Sequence, residues 1–158
     1  MPTTEGLPFL GHFPGLIDDK GRLSIPAEYR HAMPPDSDGT VVLTPGSSSF
    51  LNAFPLNRFN AVWDQADSNV LGFASSDSLA RDTALLSEAV YRQFDSQGRI
   101  TVPQSLLKAA GIGREVIFMG RFNHFVIWDS KGFEQYRKTQ GLTPGDAWKR
   151  LIDQSHKG

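Results

Sequence analysis

The stretch Asp18-Asp19-Lys20-Gly21-Arg22-Leu23-Ser24-Ile25-Pro26 returns without a gap as Asp95-Ser96-Gln97-Gly98-Arg99-Ile100-Thr101-Val102-Pro103. The shared pattern is Asp-x-x-Gly-Arg, an apolar residue, Ser or Thr, a β-branched residue and Pro. Agreement at so many chemically distinct positions marks a repeat, and a repeat decides architecture. Each copy has the same physics. Asp followed three residues later by Gly is turn chemistry: the carboxylate caps backbone N–H groups and the glycine accepts positive φ. Side chains then alternate, so Leu23 and Ile25 share one face, as do Ile100 and Val102, which suits a half-buried strand. Arg22 and Ser24, like Arg99 and Thr101, point the other way. Pro26 and Pro103 suit the first position of a helix, where the missing N–H costs nothing. Asp18, Asp95, Gly98, Pro26 and Pro103 are thus structural, building a turn that displays an arginine, then a strand and a helix.

The likeness extends past the motif. Each copy continues into a short helical stretch (26–33, 103–110), an apolar run (Val41 to Leu43, Val116 to Met119) and a second run (Phe50 to Phe54, Phe125 to Trp128). Each then ends in a helix carrying Phe59 or Phe133. In the second copy the first helix buries Leu106, Leu107 and Ala110, and Gly111 is its natural stop. The halves are expected at 9–63 and 87–138, joined by a Ser-, Asp- and Ala-rich connector, 64–86, with a helix at 77–86. A tail, 139–158, contains a helix from Thr143-Pro144 that sets Trp148, Leu151 and Ile152 on one face. That face has two readings, packing on its own core or docking on a neighbouring subunit. One half cannot bury Leu23, Ile25, Val41, Leu43 and Leu51 alone, and the other supplies the second layer. The expected class is α+β, a β-dominant pseudo-twofold barrel with helices at its margin.

With 39% hydrophobic and 21% charged residues the chain has an ordinary globular balance. No apolar run reaches the roughly 20 residues that span a bilayer, and Met1 to Leu10 lacks the pattern of a signal peptide. There are no cysteines, which excludes disulfides and thiolate metal sites. A cytoplasmic location follows as the default. The net charge is −1, so composition alone does not suggest a nucleic-acid partner, and that reading must rest on where the cations sit.

These residues resemble the MraZ family, which carries two tandem halves of the SpoVT-AbrB swapped-hairpin type. Phe9-Leu10-Gly11, then Ile17-Asp18-x-Lys20-Gly21-Arg22 and Ile25-Pro26, look like its first half. Asp95-x-x-Gly98-Arg99, Gly120, Phe122-Asn123 and Ile127-Trp128 look like its second. The resemblance covers about residues 9–138. It implies a swapped-hairpin barrel and a cytoplasmic, nucleoid-associated transcriptional regulator. Such a protein binds short repeated elements of double-stranded DNA upstream of its own cell-division and cell-wall gene cluster, and assembles into a closed ring of more than four subunits. Some members have Arg where Leu10 stands here, and Gln97 replaces a cation at the position matching Lys20.

On this reading Arg22 and Arg99 are the base-reading candidates. The planar fork of Arg donates two hydrogen bonds to guanine O6 and N7, discriminating by about 1–3 kcal/mol, and a two-stranded β-ribbon fits the major groove. Lys20 suits phosphate, which fixes register without reading sequence. Gly21 offers a backbone N–H with no side chain in the way, and Arg30, on the first helix, is a further phosphate candidate. Arg92, on the strand entering the second turn, suits either the interface or a solvated surface. The alternative is that Arg22 pairs with Asp18, and Arg99 with Asp95, only to stiffen the turns. Residues 18–30 hold Asp18, Asp19 and Glu28 against Lys20, Arg22 and Arg30, which cancel. A single copy should bind weakly, and an oligomer on repeated elements would compensate. An enzyme is not expected, and neither is a cofactor or metal. The histidines His12, His31, His124 and His156 lack ligand spacing, adjacent Asp18 and Asp19 point to opposite faces, and Gly46 to Ser49 lacks a nucleophile-elbow context. The rival function is an antitoxin-like module of the same fold whose main partner is a protein.

Overall fold

The computed structural model describes residues 6–47, 49–66 and 76–156. Its elements come in two matching runs. The first is β1 (His12–Leu16), β2 (Arg22–Ser24), α1 (Ala27–Ala32), β3 (Thr40–Pro45), β4 (Phe50–Pro55) and α2 (Leu56–Ala66). After α3 (Ser76–Leu86) the order returns as β5 (Val90–Gln93), β6 (Arg99–Thr101), α4 (Gln104–Ala109), β7 (Glu115–Gly120), β8 (Phe125–Asp129) and α5 (Ser130–Gln140). Helix α6 (Pro144–His156) ends the described chain. The expected connector helix is α3, while the middle of the Ser-, Asp- and Ala-rich stretch, 67–75, lies outside the described residues.

The strands pair across the two runs. One antiparallel sheet has the order β1-β7-β8-β4-β3-β5, and β2 pairs with β6 in a separate ribbon. Exchanging each strand for its counterpart reads the sheet order backwards, which is a pseudo-twofold. The hairpins are swapped: β1 lies on β7 with Phe13 opposite Phe118, and β5 lies on β3 with Val90 opposite Leu43. In the ribbon Leu23 faces Ile100, Arg22 faces Thr101 and Ser24 faces Arg99, so the pseudo-axis passes between Leu23 and Ile100. The class is α+β with β dominant, as the sequence implies.

Alternation predicts the core correctly. Leu23, Ile25, Ile100 and Val102 are buried, while Ser24 and Thr101 are exposed. From the sheet come Val41, Leu43, Leu51, Ala53, Val116, Phe118, Phe125 and Ile127, and all belong to one apolar cluster enclosed between sheet and ribbon. Tyr29 of α1 sits within it, its ring centroid 5.0 Å from that of Phe125 and 5.3 Å from that of Phe13. Its hydroxyl donates to the Gly11 carbonyl at 2.9 Å, and burial pushes its pKa up to about 12. Leu106, Leu107 and Ala110 are buried, and Gly111 follows α4 at φ +67°. Pro26 and Pro103 stand one position earlier than expected, as the N-cap residues. There the Pro26 carbonyl accepts from the Tyr29 and Arg30 amides and that of Pro103 from Leu106 and Leu107, the role an N-cap carbonyl has.

The tail helix does not pack on this core. No residue of α6 is buried, and Trp148, Leu151 and Ile152 are 63%, 55% and 51% exposed. The reading that this face packs on the chain's own core is therefore not met.

His124 shows how the β7–β8 end is fixed. Its ring stacks on Phe54 at 4.0 Å and 11°, and Nδ1–H donates to the Asn123 side-chain oxygen at 2.7 Å. Nε2 is buried without a hydrogen-bond partner among the described residues. Burial, reinforced by the charge of Arg121, pushes the His124 pKa down to about 4. The unfolded chain therefore binds a proton below the ordinary value of 6.5 that the folded chain refuses until about pH 4. Stability should be full above pH 6.5 and fall between pH 6.5 and 4, with this histidine contributing a loss on the order of 2–3 kcal/mol. Thermal melts of the wild type and of His124→Gln across that range are expected to show a steeper decline for the wild type.

Candidate nucleic-acid interface

Both turns are built by the same hydrogen bonds. Asp18 Oδ1 accepts from the Lys20 amide at 2.9 Å and the Arg22 amide at 2.8 Å. Asp95 Oδ1 accepts from the Gln97 and Arg99 amides, both at 2.9 Å. These N–H donors, those of Arg22 and Arg99 first, hold both carboxyls below the usual carboxylate value. Gly21 and Gly98 take φ +79° and +74°, a region that side chains resist. The turns are also tied to one another. The Val102 amide donates to the Gly21 carbonyl at 2.8 Å and the Ile25 amide to the Gly98 carbonyl at 3.0 Å.

Arg22 and Arg99 lie diagonally on the outer face of the ribbon, each held by its own aspartate. Nε of Arg22 donates to Asp18 Oδ2 at 2.7 Å, and Nε of Arg99 to Asp95 Oδ2 at 2.9 Å. The ion pairs of the stiffening alternative are therefore present in both copies. They engage Nε only, and the terminal nitrogens of both guanidinium groups have no protein hydrogen-bond partner among the described residues. Those nitrogens remain available to a ligand while the aspartate fixes the side chain's direction. The Arg22 side chain is 35% exposed and that of Arg99 26%.

The other candidates are placed unequally. Lys20 is exposed at the tip of the first turn, as Gln97 is at the second. The Gly21 amide donates to the Asp18 carbonyl at 3.0 Å, so this glycine contributes room and positive φ, and its N–H is occupied within the turn. A Cβ on Gly21 would stand 2.9 Å from the Val102 carbonyl oxygen, so the close crossing of the strands also requires it. Arg30 is brought to the second turn and does not accompany the first: a Cβ on Gly98 would meet its Cδ and Nε at 2.7 Å.

Arg114, at the start of the second copy's sheet hairpin, was not legible as a site residue. It donates from Nε to the Ile17 carbonyl at 3.3 Å and pairs with Asp19 at 3.1 Å. No local pattern signals this contact, because only the swap brings β7 beside β1. Arg92 turns along the outer edge of the second hairpin and donates to the carbonyls of Thr101 and Tyr91, both at 2.9 Å. Among the described residues no helix is long and apolar enough to cross a membrane.

Comparison with known proteins gives this geometry a family. A family profile described as "MraZ protein, putative antitoxin-like" matches residues 85–155. A protein of Thermomicrobium roseum named "Transcriptional regulator MraZ" is 36% identical over 125 residues, 79% of this chain and 84% of that protein. A protein of Roseiflexus castenholzii with the same name is 37% identical over 126 residues, 80% of this chain and 84% of the relative. A third, from another Roseiflexus strain, is 39% identical over 120 residues, 76% of this chain and 80% of its own length. With such identity across most of its length, the chain belongs to the MraZ family of transcriptional regulators.

Proposed function

We propose that the chain is a sequence-specific DNA-binding regulator, not an enzyme, that reads repeated elements in the double-stranded DNA upstream of its own gene cluster. One observation carries the reading: two aspartate-held arginines stand on one face of a two-stranded ribbon, their terminal nitrogens without a hydrogen-bond partner among the described residues. A ribbon of this kind fits the major groove. Arg22 and Arg99 address base edges, Lys20 and Arg30 address phosphate, and Gly21 lets the strands cross closely enough for both turns to share one surface. The halves 9–63 and 87–138 act as tandem SpoVT-AbrB-like units whose swapped hairpins form that surface, in a cytoplasmic, nucleoid-associated protein.

Arg22→Ala is expected to abolish specific binding to the upstream repeats while leaving fold and assembly unchanged, because Arg22 faces away from the core of Leu23 and Ile25. Gel shifts paired with size-exclusion chromatography measure both. Retained binding by a well-folded variant would refute the assignment.

The chain's net charge of −1 makes a single copy a weak phosphate binder, so we propose a closed homo-oligomeric ring of more than four subunits joined heterologously. The unpartnered apolar stripe of α6 is compatible with such a joint. Affinity should climb steeply with the number of elements, because binding to each later element is intramolecular. The log–log salt slope should steepen as well, by about 0.9 for every additional phosphate neutralised. Titrations on one, two and three elements at several salt concentrations test this, with light scattering for the ring. Equal affinity and slope on one and three elements, or a monomer in solution, would contradict it.

The same α6 stripe supports a second reading, an antitoxin-like module that captures a protein partner. It requires a stoichiometric protein of different sequence to co-purify with the chain, whereas the DNA reading requires only copies of the chain itself.

A further inference from the structure

We infer that Arg30 is the phosphate-binding cation of the second turn. It stands in for the lysine that Gln97 replaces, so both turns of one subunit meet the duplex. This rests on the DNA-binding reading above. The motif repeats, but its cations do not. Lys20 at the tip of the first turn becomes Gln97 at the second, and Arg30 in α1 becomes the buried Leu107 in α4. Each asymmetry viewed alone weakens the pseudo-twofold. In three dimensions they compensate.

The reason is the crossing of the strands. The Ile25 amide donates to the Gly98 carbonyl, which places the end of β2 and the start of α1 beside the second turn. Nε of Arg30 then donates back to the Ile25 carbonyl at 3.1 Å. This folds the guanidinium over Gly98, whose absent Cβ would stand 2.7 to 2.8 Å from Cδ, Nε and Cζ of Arg30. Gly98 is buried in consequence, whereas Gly21 is half-buried. The terminal nitrogens of Arg30 have no hydrogen-bond partner among the described residues, and no described carboxylate lies within ion-pair distance of it.

The charges then balance turn by turn. At the first turn Asp18 pairs with Arg22 and Asp19 with Arg114, leaving Lys20 as the surplus cation. At the second, Asp95 pairs with Arg99, and Arg30 is the cation over the turn that lacks a carboxylate among the described residues; Arg92, on β5, lacks one as well but is held by the carbonyls of Thr101 and Tyr91. Each turn thus presents one aspartate-held arginine and one cation without a carboxylate partner. The two turns are related by the pseudo-axis through Leu23 and Ile100, although the two surplus cations come from positions that are not equivalent in sequence. Non-equivalent residues can serve equivalent turns in this way, because phosphate recognition asks for charge and position and not for a particular side chain.

The test measures salt dependence of the full-length chain on a fluorescent duplex carrying its own upstream region, by anisotropy over a series of KCl concentrations. Arg30→Gln and Lys20→Gln should each make the log–log slope shallower, by about 0.9 for each phosphate that is no longer neutralised, and by matching amounts. Arg30→Lys should keep the slope, since it retains the charge while giving up the bond to Ile25. Lys138→Gln, on α5, serves as a distant cation control and should change nothing. Thermal melts establish that each variant is folded. If Arg30→Gln folds and keeps the wild-type slope while Lys20→Gln makes it shallower, Arg30 is only a packing residue and the inference fails alone. If Arg30→Lys flattens the slope as much as Arg30→Gln does, shape and not charge is responsible, which also overturns it. If the wild type shows no binding that Arg22→Ala abolishes, the DNA reading itself fails and takes this inference with it.

Discussion

Everything in this molecule depends on the crossing of two turns at one pair of glycines. The carbonyls of Gly21 and Gly98 each receive an amide from the opposite run, Val102 and Ile25 respectively, and Leu23 meets Ile100 between them. Both glycines stand at positive φ, and at Gly21 a methyl group would already press on the Val102 carbonyl. With these strands crossed, β1 does not pair with its own β3. It runs on to β7, and β5 runs on to β3. The swapped sheet, the shared core and the common face of the two arginines are consequences of that one junction. Backbone groups that would otherwise be buried unpaired are satisfied there, which is why the junction is obligatory and not decorative.

The aspartates convert a scaffold into a presented site. Each accepts two amides and one guanidinium Nε, and the amides hold the carboxyl ionised. Surface ion pairs of this exposure contribute little to stability. Their value is conformational: an arginine free in solvent loses up to about 2 kcal/mol of rotamer entropy on binding, and one already held by Nε loses less. The Asp–Arg pairs leave the terminal guanidinium nitrogens without a hydrogen-bond partner among the described residues, so stiffening of the turn and the proposed reading of DNA do not compete.

Much of this was legible in the sequence. Alternation placed Leu23, Ile25, Ile100 and Val102 inside, the Asp-x-x-Gly spacing placed the turns, and Gly111 placed the end of α4, because each depends only on neighbours in the chain. What depends on the swap was not legible. Arg114 reaches Asp19 from across the chain, and Arg30 leaves its own turn for Gly98. Counting charges along residues 18–30 therefore misses one cation that arrives from afar and misplaces another. The Gly21 amide, free on paper, is taken by the Asp18 carbonyl because a tight turn closes on itself. In the tail, periodicity found the apolar stripe of Trp148, Leu151 and Ile152 but could not say that the core leaves it uncovered.

Because the chain has no cysteine of its own, the face proposed to meet DNA can be tested directly. Ser24→Cys and Thr101→Cys would place single thiols on the outer face of the ribbon beside Arg22 and Arg99. Thr139→Cys would place one on the exposed side of α5. Each is labelled with a short photo-crosslinker and irradiated with the upstream duplex. The expected result is crosslinking from positions 24 and 101, abolished when Arg22→Ala is added, and none from position 139. Crosslinks from position 139 with none from 24 or 101 would show that the crossed turns are a structural junction and that DNA is bound elsewhere.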